Sequence, residues 1–216
     1  MNQNKRAILF DLDGTLWDST NQIVESWNDI RIQQGYDLVS HEKISSLLGQ
    51  PMDVFARQMY PDQDFENASK MLEECMENEN RYLEVHGATL YPNLRKVLEE
   101  LHKDYFLAII SNCQKGYIEA FLKAHQLADL FDDYESYGNT LCYKDENIRK
   151  VIKRNNISEA LYVGDIEDDG ISANKAGVPF ILAEYGFGNS DTPYRIKSLT
   201  DLFDVIDEIF AKTDLQ

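Results

Sequence analysis

The chain has 216 residues, 43% of them hydrophobic, which is enough for one large domain or a core with an insertion and too apolar for global disorder. Its formal net charge of -17 argues against nucleic acid and anionic membrane surfaces as partners, since both select basic patches. A phosphorylated small molecule stays compatible, because a local cation reverses the sign of a small site.

Residues 1–6 are expected to run directly into a first strand, with neither a signal peptide nor an apolar run long enough to span a membrane. That strand is buried and covers residues 7–10, closed by Asp11-Leu12-Asp13-Gly14-Thr15. An extended backbone points Asp11 and Asp13 to one side and Leu12 to the other. Two carboxylates a few ångströms apart repel by roughly 4 kcal/mol at an effective dielectric near 20, so the pair calls for a shared proton, a cation or solvent. Gly14 and Thr15 let the backbone turn sharply beside it, which suits contact with an anion or an ion.

Residues 15–88 read as an all-helical unit without strands. Ile23, Trp27 and Ile30 recur at helical spacing behind a cap at Ser19 or Thr20, and Gly35 stops that helix. A short helix over 43–48 stops at Gly49, Pro51 opens a third, and a long fourth covers 65–85. From Leu90 onward helices and strands alternate. Leu94, Val97, Leu98 and Leu101 form one helical face, followed by a strand over 105–110. Tyr117, Ile118, Phe121 and Leu122 face inward from the next helix, and Ile148, Val151 and Ile152 from another. Strands follow over 160–163 and 180–182, and an amphipathic helix carries Leu202, Phe203, Ile206, Ile209 and Phe210.

This alternation places the chain in the α/β class, with a parallel sheet covered on both faces. The expected division is a Rossmann-like core of residues 1–14 and 89–216 with an inserted helical domain over 15–88. Ligands of such sheets bind beyond the carboxyl ends of the strands. Three strand ends carry polar residues there: Asp11 with Asp13, Ser111 with Asn112, and Gly164 with Asp165. Residues 165–170 also set acids at early calcium-loop positions. Position twelve then falls on Ala176, where a bidentate Glu is needed, and a strand precedes the loop. Gly186-Phe187-Gly188 lacks the helix-opening third glycine of a dinucleotide fingerprint. Cys75, Cys113 and Cys142 show no CxxC spacing, so neither a disulfide framework nor zinc is suggested and a reducing cytoplasm fits. Cys113, near the polar strand ends, reads as a neutral small residue.

Taken together, Asp11-Leu12-Asp13-Gly14-Thr15-Leu16, Ile109-Ile110-Ser111-Asn112, Lys144 ahead of a helix and Val163-Gly164-Asp165-Ile166-Glu167-Asp168-Asp169 resemble the haloacid dehalogenase superfamily. Leu90-Tyr91-Pro92 and Asn174-Lys175-Ala176-Gly177-Val178-Pro179 are similar to its phosphoglycolate phosphatase-like branch, and residues 15–88 match the inserted helical cap in position and kind. Departures from the branch are Asn93 in place of Gly, Asp145 in place of Pro, Ile166 in place of a small hydroxyl residue and Gly170 in place of an apolar one; none removes a catalytic group.

The resemblance implies a magnesium-dependent phosphatase that hydrolyses a small phosphorylated metabolite through an aspartyl-phosphate. Asp11 would be the nucleophile and Asp13 the general acid and base. A carboxylate oxygen of Asp11, the backbone carbonyl of Asp13 and a carboxylate oxygen of Asp165 would hold Mg2+, with Asp169 orienting its waters. Ser111, the backbone at Asn112 and Lys144 would hold the phosphoryl group, and Asp168 reads as a solvated loop acid. In the cap, Lys43, Gly49, Gln50 and Arg57 are candidates to face the site. A β-phosphoglucomutase-like mutase uses the same two aspartates, whereas Asp13 has no role in a dehalogenase. A non-catalytic phosphometabolite-binding or regulatory module is the alternative of another class.

Overall fold

Strand β1 (Arg6–Phe10) is buried along nearly its whole length, and its sequence is accordingly a continuous apolar run. Ala7 and Leu9 belong to one hydrophobic cluster and Ile8 and Phe10 to another, as the two-residue period of a strand requires. The computed structural model describes residues 5–213, so the expected lead-in at residues 1–4 lies outside them.

After β1 the chain turns into β2 (Trp17–Asp18) and then runs through α1 (Thr20–Gln34), α2 (His41–Ser45), α3 (Met52–Met59) and α4 (Phe65–His86). β3 (Thr89–Leu90) pairs antiparallel with β2, Trp17 opposite Leu90 and Asp18 opposite Thr89. The helical stretch is therefore closed at its base by a two-strand stem, which corrects the expectation of no strand over 15–88. Two-residue strands are too short to show a period in the sequence. α2 starts two residues earlier than the spacing suggests, because the Ser40 hydroxyl accepts a hydrogen bond from Lys43 N–H and so caps it. Ile23, Trp27, Ile44, Phe55, Leu72 and Cys75 are the centre of a hydrophobic cluster made by α1–α4, with Phe187 packed against it.

The chain then alternates as expected. α5 (Leu94–Leu101), β4 (Phe106–Ser111) and α6 (Tyr117–His125) precede β5 (Asp133–Ser136), the single turn α7 (Tyr137–Thr140) and α8 (Lys144–Arg154). β6 (Glu159–Gly164), α9 (Glu167–Ala176), β7 (Phe180–Ala183), β8 (Arg195–Ile196) and α10 (Leu202–Thr213) complete it. The six-stranded sheet has the order β5-β4-β1-β6-β7-β8, with every neighbouring pair parallel. Helices α5, α6 and α10 contribute to the cluster on one face and α8 and α9 to the cluster on the other. Residues 165–170 leave β6 and enter α9, so they form a strand–turn–helix and not the helix-flanked loop of a calcium site. Among the described residues no helix is long and apolar enough to cross a membrane.

Candidate active site

β1 lies between β4 and β6, so the chain moves off to one side of it and later returns on the other. The crevice beyond the carboxyl ends at such a reversal is the binding position of open α/β sheets. Asp11 follows β1 and donates its N–H to the Val163 carbonyl of β6 at 2.8 Å. Ser111 closes β4, and Asp165 follows β6. The three polar strand ends read from the sequence are thus neighbours in space.

Asp11, Asp165 and Asp169 are buried together, each offering an oxygen within 4.8 Å of the others. Lys144, the first residue of α8, is only 1% exposed and enters this cluster from beside the sheet. Its Nζ donates to Asp11 Oδ1 at 2.8 Å and to Asp169 Oδ1. Asp169 Oδ2 accepts the backbone N–H groups of Asp165 and Ile166 at 3.0 and 3.2 Å, which fixes the turn into α9. Both oxygens of Asp169 are thereby engaged within the protein. Asp11 Oδ2 is buried with no partner. One ammonium stands against three carboxyl groups. Burial and the charge of Asp169 push the Asp11 carboxyl well above its usual range, against the pull of Lys144. Burial, Asp169 and Asp11 do the same to Asp165. Lys144 is held above its ordinary value, because the attraction of Asp11 and Asp169 outweighs its burial.

An orphaned buried oxygen amid hard carboxylate donors fits a small divalent cation of the magnesium kind. The glycines around Asp165 preserve the room. A Cβ on Gly14, which has φ +78°, would run into the Asp165 carboxylate, and so would one on Gly186.

Asp13 has a different environment. The chain does not stay extended through it, since Leu16 N–H donates to the Leu12 carbonyl and Gly14 N–H to the Trp17 carbonyl, both at 2.9 Å. The two acids therefore do not continue the strand alternation, and they engage separate partners. Asp13 Oδ1 accepts hydrogen bonds from Trp17 Nε1 at 2.9 Å, Ser19 Oγ at 2.6 Å and Tyr117 Oη at 2.7 Å. Ser19 precedes α1 but spends its hydroxyl on Asp13; Asp18 Oδ1 accepts the Thr20 N–H instead. Burial raises the Asp13 carboxyl above its ordinary value, and the three hydrogen bonds oppose it. Burial that favours the protonated form suits a general acid.

The helices α1–α4 sit over the strand ends. Asn112 Nδ2 donates to the Gly49 carbonyl at 3.0 Å, and Gln50 Nε2 donates to Asp168 at 2.9 Å. Between them and the sheet is a cavity of about 20 Å³ lined by Asp13, Ser111, Asn112 and Cys113, by Gly49 and Gln50 of the turn between α2 and α3, and by residues of the helices. Ser111 Oγ accepts the Cys113 N–H at 3.3 Å, and burial pushes the Cys113 thiol up, which keeps it neutral. The sequence candidates Lys43 and Arg57 do not line this cavity: Lys43 bonds Gln58 on the surface, and Arg57 lies over the Phe65 ring. Asp168 meets Gln50 and is not part of the buried cluster.

Several lining or supporting residues escape a motif search. Trp17 and Tyr117 hold Asp13, and Trp27 and Glu79 meet across the cavity wall, with Trp27 Nε1 donating to Glu79 Oε2. Glu79 did leave a signal. It occupies the buried register of α4, in line with Leu72, Cys75 and Leu83, where an apolar residue is the norm.

Residues 8–183 match the haloacid dehalogenase-like hydrolase family. A protein from Rhodobacter capsulatus named phosphoglycolate phosphatase is 31% identical over 192 residues, 84% of this chain and 85% of its own. One of the same name from Vibrio parahaemolyticus is 26% identical over 223 residues, 94% of this chain and 97% of its own. The crystal structure of a predicted phosphatase from Clostridium acetobutylicum aligns with a TM-score of 0.79 at 25% identity, covering 95% of this chain and all of that one (100%). A haloacid dehalogenase-like family protein from Streptococcus pneumoniae shares the fold with a TM-score of 0.81 at 20% identity, covering 94% and 99%.

Proposed function

The chain belongs to the haloacid dehalogenase-like hydrolase family, and from that membership we propose that it is a phosphatase of the phosphoglycolate phosphatase-like branch, dependent on magnesium and acting on a small phosphate monoester through an aspartyl-phosphate. The observation that carries this reading is the buried Lys144 joined to Asp11, beside a separately held Asp13 whose burial favours the protonated form.

Phosphate monoester hydrolysis in water is among the slowest reactions known, and a carboxylate nucleophile divides it into two easier steps. Asp11 attacks the phosphorus, the bond from phosphorus to the ester oxygen breaks, and Asp13 gives its proton to that oxygen as the alcohol leaves. In the second step Asp13 takes a proton from a water, which attacks the phosphorus. The bond from phosphorus to Asp11 breaks and inorganic phosphate departs. Lys144 offsets negative charge on the transferring group, and the Ser111 hydroxyl and the Asn112 backbone N–H donate to its oxygens. Magnesium would be held by a carboxylate oxygen of Asp11, the backbone carbonyl of Asp13 and a carboxylate oxygen of Asp165, with Asp169 orienting its waters; bound there it neutralises the phosphate charge and holds nucleophile and substrate in register. Residues 15–88 act as a cap that closes over the site, excludes bulk water and contacts the organic part of the substrate.

The test is inorganic phosphate release from a panel of small phosphate esters with magnesium, its loss in EDTA, and recovery of the phosphoryl label on the peptide bearing Asp11. Isomerised hexose phosphate without stoichiometric phosphate release would make the protein a mutase. Bound magnesium without release from any ester would make it a binding module.

A further inference from the structure

Glu79 is a carboxyl group buried to 2% exposure, well removed in sequence from every catalytic motif. It lines the same cavity as Asp13, Ser111 and Asn112, on the helix side of the polar strand ends; on the phosphatase reading that is the side where the organic part of a phosphate ester would lie. Trp27 Nε1 donates to it. Gln114 also hydrogen-bonds it, and the charged group that acts on it is Asp13. Among the described residues no lysine, arginine or histidine lines the cavity. Burial without a counter-charge pushes the Glu79 carboxyl up to about 8, against the pull of the hydrogen bonds from Trp27 and Gln114. Gln50 is polar, and most of the rest of the wall is apolar or aromatic, with Ile23, Met52, Phe55 and Tyr117 among its members. The Trp27 and Phe55 rings meet edge to face at 5.8 Å.

A buried acid with no cation keeps its proton, and a cation that visits the site favours its ionised form and pairs with it. Aromatic faces beside carboxyl groups attract ammonium ions and give a carboxylate nothing to bind. A hydroxy-acid phosphate such as glycolate phosphate would bring a negative group against two buried carboxyl groups with no cation lining the cavity to receive it. We infer that Glu79 is the specificity-determining residue of the leaving-group pocket, and that the substrate is the phosphate ester of a small amino alcohol, bound with its ammonium group against Glu79 and the surrounding rings.

This inference rests on the phosphatase reading, and the experiment separates the two. Phosphate release is measured with magnesium for acetyl phosphate, ethanolamine phosphate, 1,2-propanediol phosphate and glycolate phosphate. The expected result is a kcat/KM for ethanolamine phosphate about a hundredfold above that for glycolate phosphate, with the diol ester between them. In Glu79→Gln, KM for ethanolamine phosphate rises and KM for glycolate phosphate falls, so the preference contracts from both sides. Hydrolysis of glycolate phosphate or of the diol ester at least as well as ethanolamine phosphate by the unaltered protein overturns the pocket assignment and leaves the phosphatase reading intact. That arm needs no variant, so a misfolded Glu79→Gln does not blur it. Failure of all three esters and of acetyl phosphate, the more reactive acyl phosphate, overturns both.

Discussion

Lys144 Nζ lies 2.8 Å from Asp11 Oδ1, and the two side chains are each 1% exposed. Removing one partner of a buried ion pair typically destabilises by about 3–5 kcal/mol, because the other charge is left without compensation. Here the remainder would be three crowded carboxyl groups. Lys144→Met should therefore lower the melting temperature in EDTA by roughly 6–20 °C. Magnesium should restore more of that loss than it adds to the unaltered protein. Activity should fall by about 10²–10³-fold, the usual effect of removing one charge-stabilising donor. Calorimetry with and without magnesium, alongside a phosphate-release assay, checks both statements. An unchanged melting temperature in EDTA would contradict the pairing.

Asp11→Asn replaces a carboxylate with an amide of the same shape, which is a poor nucleophile. Turnover should vanish while the far-ultraviolet circular dichroism stays the same. Asp13→Asn should behave differently, because it removes the proton carrier and keeps the nucleophile. Both formation and breakdown of the labelled Asp11 should slow, by about 10²–10⁴-fold. Rapid-quench measurement of the phosphoprotein separates the two steps. Near-normal turnover in Asp11→Asn would exclude the proposed chemistry.

The metal-free protein should lose stability as pH rises. Asp11 is raised from 3.8 to about 7 and Asp165 to about 8, in both cases by burial first and neighbouring carboxyls second. In the unfolded chain the same groups ionise near pH 4. Between about pH 4 and about 8 the native state consequently holds protons that the unfolded state has released. Their contribution is fully present below that window and is lost as pH climbs through it. Melting temperatures in EDTA should be higher at pH 5.5 than at pH 8.5, and Asp165→Asn should flatten the slope. A slope of opposite sign in the difference between the two proteins would refute the assignment.

Gly49 joins α2 to α3 at φ +81°, its carbonyl accepts from Asn112, and a Cβ there would press on the Ile166 side chain. Gly49→Ala strains the backbone by about 1–2 kcal/mol in a conformation that side chains rarely adopt. The closed arrangement of the helices should suffer most. KM for a small ester should rise about tenfold or less, with a smaller change in kcat. Steady-state kinetics with a melting curve tests this, and a collapse of kcat at constant KM would argue for a different role.

The central strands and long helices were legible because burial dictates their pattern. β1, β4 and β6 are runs of apolar residues, and Leu94, Val97, Leu98 and Leu101 mark the inner face of α5. β5 escaped notice because it is an edge strand of Asp-Tyr-Glu-Ser, whose Asp133 and Glu135 are paired with Arg154 of α8. That pairing belongs to tertiary structure and leaves no local period. The candidate acids Asp11 and Asp13 were legible through their spacing and their neighbours in the chain. Their separate surroundings were not, because the turn at Leu12 is fixed by hydrogen bonds to Trp17 and by the distant Tyr117. Lys144 shows a related limit: the helix it opens was visible, but its depth of burial was not.

The cavity beneath the helices has room for about one water, since about 10–15 Å³ of such space is needed to hold one. On the proposed mechanism, so small a space beside Asp13 and Ser111 favours water over a bulky hydroxyl compound as acceptor once the alcohol has left. The ratio of inorganic phosphate to glycerol phosphate formed should then change little as glycerol is added, and a ratio that falls in proportion to glycerol would contradict it.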